Sequence, residues 1–117
     1  MRYSKTNDIY KIIRITGSQD NILGIVFGTP TNKKDNIEIL EWNFSNSNGD
    51  IKRISKEDVA KEVLFGLDRV NEALRANYVI SKIYFSPFDK SDGRVYSYLT
   101  IALIKHYHEG KEFIEVQ

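Results

Sequence analysis

The run between Arg94 and Gly110 limits what this chain can fold into. Val95, Tyr98, Leu99, Ile101, Ala102, Leu103 and Ile104 put apolar side chains on nearly every side of a helix. Such a helix is buried on two faces, or one of its faces meets a partner. Just before it, Val79 to Phe85 has the β-branched and aromatic content of a buried strand, ended by Pro87. Ser86 to Gly93 forms the connecting loop, and Gly110 is placed to stop the helix. A strand end facing a helix start is where α/β sheets usually hold ligands, so this junction is the candidate site.

The rest of the chain supplies the layers that such a helix needs. Asp8 to Thr16 alternates and is β-branched, Gly17 to Asn21 supplies turn residues, and Ile22 to Gly28 resumes a strand. After a polar stretch around Pro30, Ile37 to Phe44 is expected as the third strand of an antiparallel meander. Ser55 is placed as an N-cap, with Asp58 three residues on and Ile54 set to staple against Val59. Val59, Val63, Leu67, Val70 and Leu74 then form one apolar stripe on a helix running to about Asn77, an expected left-handed terminator. Lys111 to Val116 is expected as a closing strand.

The element order is therefore βββαβαβ, a mixed α+β (α/β) domain over residues 1–117. Right-handed crossovers would place the last strands parallel beside the meander, giving a five-stranded mixed sheet compatible with a ribonuclease-H-like topology. Strands two and three are apolar on both faces. Helices on one face alone would then expose half of those side chains and point to self-association or a protein partner, whereas helices on both faces would cover them. Trp42, Phe44, Tyr84, Phe85 and Phe88 are expected in the core.

Composition excludes several chemistries. There is no cysteine, which removes disulfides, thiolate catalysis and Cys-based metal sites. Net charge is +1, so no whole-domain field draws the protein to nucleic acid or anionic lipid. Charges at Arg2, Lys5, Asp8, Lys11 and Arg14 interrupt any leader or membrane span, and a cytoplasmic location with no membrane partner is expected. Plentiful isoleucine, lysine and asparagine beside scarce alanine suggest an AT-rich source such as a bacterium or its phage.

A two-metal nuclease would need a carboxylate in the first strand, where Lys11 and Arg14 stand instead. Asp89, Glu62 and Asp68 do not close such a site. His106 and His108 lie two apart on a helix and point to different faces, so they do not chelate one ion, and a capping role at the helix end is expected of them. No G-x-S-x-G elbow supports a serine nucleophile. No catalytic residue, metal site or cofactor is assigned.

The loop before the second helix could hold an anionic ligand such as a nucleotide. Lys90, Ser91, Gly93 and the first helical amides would bind the anion, Arg94 would clamp it, and Tyr96 or Tyr98 would stack on a ring. The plainer alternative is an ordinary cap, with Ser91 or Asp92 as N-cap and Arg94 paired to Asp89 or Asp92.

Tyr10-Lys11-Ile12-Ile13, the Asn21 to Gly28 segment ending Phe27-Gly28, the Asn46-Ser47-Asn48-Gly49-Asp50 turn before a long helix, and Arg94-Val95-Tyr96 opening the next helix occur in a telling order. In this the chain resembles a bacterial domain family without an established activity, over roughly residues 10 to 116. It departs at Gly24, Pro30 and the Ser86 to Gly93 loop, and shows no sign of the additional N-terminal strand expected there. The resemblance implies the fold and no mechanism. The functional expectation is a non-catalytic binding protein: an inhibitor, immunity or counter-defence module acting on a protein or ligand. The alternative is a nucleotide or nucleic-acid binder using the loop, with a metal-dependent nuclease a distant third.

Overall fold

A computed structural model of the chain describes residues 1–15, 20–29, 37–42, 54–87 and 94–116. Its elements run β1 (Arg2–Thr6), β2 (Ile9–Ile15), β3 (Asp20–Phe27), β4 (Glu38–Glu41), α1 (Lys56–Leu74), β5 (Ile80–Phe85), α2 (Val95–His108) and β6 (Ile114–Glu115). The mixed α+β class is as expected, but the sheet has six strands, in the order β4-β5-β3-β2-β1-β6.

Three strands stand differently from the expected topology. β1 forms a tight hairpin with β2, closed by Asn7 in the left-handed region (φ 54°), a conformation that asparagine tolerates well. β4 does not continue the meander. It pairs parallel with β5 at the sheet edge, and β5 inserts between β4 and β3, antiparallel to β3. β6 pairs parallel with β1 at the opposite edge and not with β5. The connection over residues 28–37 is longer than a hairpin loop, so nothing local holds β4 beside β3. With β5 antiparallel to β3, the ribonuclease-H-like order does not apply.

Both helices lie on one face of the sheet, the face carrying Ile12, Leu23, Ile25, Ile83 and Phe85, all fully buried. The stripe on α1 is Val59, Val63, Leu67 and Val70, each at most 4% exposed. From α2 come Val95, Tyr96, Leu99, Leu103 and Ile104. Each full burial of this kind contributes roughly 1.5–3 kcal/mol. The helices cross closely at Gly66, where a Cβ would stand 2.5 Å from the Ser97 carbonyl oxygen and 3.0 Å from the Thr100 Cβ. α2 thus meets the sheet on one side and α1 on another, which accounts for most of its all-round apolar character. Ile101 and Ala102 are half-buried and Tyr98 is exposed.

The caps follow local chemistry. The Ser55 side chain accepts from the Asp58 amide at 3.2 Å, and Ile54 joins Val59 in the core. α1 ends earlier than expected, with Arg75 and not Asn77 in the left-handed region (φ 53°). The Asn71 carboxamide causes this by gripping the Tyr78 backbone, donating to its carbonyl and accepting from its amide, both at 2.9 Å. At the end of α2, Gly110 (φ 70°) donates to the Tyr107 carbonyl and Lys111 to the His106 carbonyl, the two bonds of a Schellman motif.

On the opposite sheet face Trp42 stacks on Tyr84, with centroids 5.3 Å apart, and lies across Gly24. A Cβ at position 24 would sit 2.7 Å from the indole Cη2, so glycine is what lets the ring reach the sheet. Among the described residues no helix covers this face. Its apolar side chains (Ile9, Ile13, Ile22, Val26, Leu40, Trp42 and Tyr84) are nevertheless buried or half-buried. Only Val26 of these is buried, so among the described residues the one-sided helix layer leaves this face partly, not fully, exposed. Phe85 is core as expected, Trp42 and Tyr84 belong to this second face, and Phe44 and Phe88 lie outside the described residues.

Candidate functional site

Much of the ligand site expected ahead of α2 falls outside what the structure describes. Lys90, Ser91, Gly93 and Asp89 lie outside the described residues. Arg94 is exposed at the N-cap of α2 with right-handed backbone (φ −61°) and makes no side-chain cap, while its carbonyl accepts from Ser97 Oγ at 2.8 Å. Tyr96 corrects the expectation most directly. It is fully buried, its ring meets Phe85 edge-on at 6.5 Å, and its hydroxyl donates to the Ser86 carbonyl at 3.4 Å. A ring held there ties strand end to helix start and has no open face for a ligand. Tyr98, two residues on and so about 200° around the helix, points outward and is 52% exposed. The two tyrosines do not converge.

What does converge is an aromatic cluster at the far end of α2. Tyr10 meets Phe27, Tyr107 and Phe113 edge-on, with centroids 5.0 to 5.4 Å apart. Phe27 also packs on Tyr78 and Tyr107. The ring of His106 lies flat on Tyr3, and its Nε2 donates to the Glu112 carbonyl at 2.7 Å. The Tyr78 hydroxyl and His108 Nδ1 share a hydrogen bond of 2.7 Å. Both histidines therefore reach beyond their helix to neighbouring segments instead of capping its last carbonyls. Burial pushes the Tyr3 hydroxyl above its ordinary value, helped by the nearby Tyr98 hydroxyl; burial, then Tyr107, does the same for Tyr78. This cluster was not visible in the sequence, where each element contributes one or two rings and only the strand order brings them together.

Two further features border on solvent. Phe65 is 51% exposed on α1, opposite the buried stripe, with the Arg69 guanidinium 4.9 Å from its ring centre. Phe65 on α1 and Tyr98 on α2 are thus each exposed on the helix layer. The signal for Phe65 was its place off the Val59, Val63, Leu67 spacing. At the β1/β6 edge, Lys5, Thr6, Asn7, Glu115 and Val116 line an open groove of about 440 Å³, where Thr6 Oγ1 is buried with no hydrogen-bond partner.

Among the described residues no three histidine or acidic side chains stand close enough to hold a metal ion; Glu62 is half-buried and Asp68 exposed on α1. No described helix is long and apolar enough to cross a membrane. No protein-family model, curated protein or solved structure matches this chain.

Proposed function

We propose that the protein is a non-catalytic binding module that acts by occupying a protein partner, in the manner of an inhibitor, immunity or counter-defence factor. The observation that carries this reading is that each helix exposes a large aromatic side chain, Phe65 on α1 and Tyr98 on α2. Arg69 stacked on Phe65 adds the residue type that, with aromatics, dominates interface energetics. The helices beneath are packed closely through Gly66, so binding need not order the backbone that carries the two rings. A net charge of +1 supplies little long-range steering, which leaves partner choice to shape and aromatic contact.

Alanine substitution separates this surface from the fold. Phe65→Ala and Tyr98→Ala together should leave the thermal midpoint nearly unchanged, since both side chains are half exposed, while removing a partner that the wild-type chain retains.

A further inference from the structure

The segment after α2 is a ligand for the rest of its own chain. We propose that residues 111–116 are a detachable edge strand, and that the groove they fill, between β1 and the end of α2, accepts the same segment from a second copy of this protein. The exchange yields a dimer. This proposal does not rest on the binding surface at Phe65 and Tyr98.

The segment is attached by a short set of contacts. Only Phe113 turns inward, meeting His106, Tyr10 and Tyr3 edge-on at 4.8, 5.0 and 6.1 Å. The Glu112 carbonyl accepts from His106 Nε2, and the Val116 amide donates to the Lys5 carbonyl at 2.8 Å. Register places Glu115 opposite Lys5 and Ile114 opposite Ser4. Lys111, Glu112, Ile114, Glu115 and Val116 are all exposed, so releasing them uncovers little buried surface beyond one ring.

The pivot falls at Gly110, held at φ 70°, where a glycine backbone can change its angles at little steric cost. What detachment leaves behind is specific: the edge of β1 and a slot walled by Tyr3, Tyr10 and His106. An unpaired strand edge recruits another strand, and the sequence shown to fit this slot, in parallel register, is the chain's own. A second copy therefore presents the matching ligand, and exchange of identical segments is a low-cost route to a two-fold dimer.

Light scattering on the full chain after prolonged incubation at high concentration tests the proposal. A dimer that accumulates with concentration, is absent from Phe113→Ala and persists in Phe65→Ala is expected. A wild-type chain that stays monomeric, or a Phe113→Ala chain that still dimerises, overturns it. Hydrogen exchange on the wild-type monomer provides a check that needs no variant. The Val116 amide should exchange on the order of tenfold or more faster than that of Ile12, by local opening. Equal protection of the two would show that the segment does not detach, and would overturn the proposal as well.

Discussion

The imidazole of His106 lies face to face with the ring of Tyr3, centroids 3.7 Å apart and planes within 3° of parallel. One residue ends α2 and the other opens β1, so this stack joins the last helix to a strand at the other end of the chain. The same imidazole holds the Glu112 carbonyl.

Replacing His106 by alanine removes both contacts at once. An aromatic pair and a hydrogen bond together suggest a loss of about 1–2 kcal/mol. Urea denaturation should show that loss, and exchange of the Val116 amide should quicken at the same time.

Gly66→Ala opposes helix propensity to packing. Alanine is the better helix former by about 1 kcal/mol, but its Cβ would meet the Ser97 backbone oxygen at 2.5 Å, which cannot rotate away as a side chain could. Packing wins: the helices must separate, and a net destabilisation of roughly 1–3 kcal/mol is expected by thermal or chemical denaturation.

Arg75→Gly runs the other way. Arginine at φ 53° bears the Cβ strain of the left-handed region, roughly 1–2 kcal/mol, whereas glycine there costs only its extra unfolded-state entropy. The variant should be more stable by about 0.5–1 kcal/mol, measured as a shift in denaturation midpoint with an unchanged slope.

These cases show how far the sequence could be read. Where a signal was local it was legible: Ser55 capping α1, Ile54 stapled to Val59, the Val59 to Val70 stripe, Phe85 in the core, and Gly110 ending α2 all depend on residues within a few positions. Where the signal was tertiary it was not. Arg2–Thr6 turns only Tyr3 and Lys5 toward the helix face, too weak an alternation to announce a strand. Nothing in Glu38–Glu41 says that its neighbour is β5 and not β3. Asn77 lost the left-handed position to Arg75 because Asn71 reaches across to Tyr78. Tyr96 carried a readable warning, since it stands three and seven residues before Leu99 and Leu103 and so shares their buried side.

Alkaline titration should be visible in stability. Tyr3 and Tyr78 both have hydroxyls raised above the ordinary value of 10.0, chiefly by burial. The folded state then holds protons that the unfolded chain has released, so their contribution is fully present below the unfolded value and is lost as pH climbs through the folded one. Denaturation midpoints measured across the alkaline range should fall from about pH 10 upward, and Tyr3→Phe with Tyr78→Phe should flatten that decline.

The claim that this is a binding protein is tested most directly by comparative affinity capture from its native cells, using the wild-type chain and the Phe65→Ala, Tyr98→Ala double variant with matched folding. The account predicts a protein partner held in stoichiometric amount by the wild type and lost from the variant. A partner retained equally by both would contradict it.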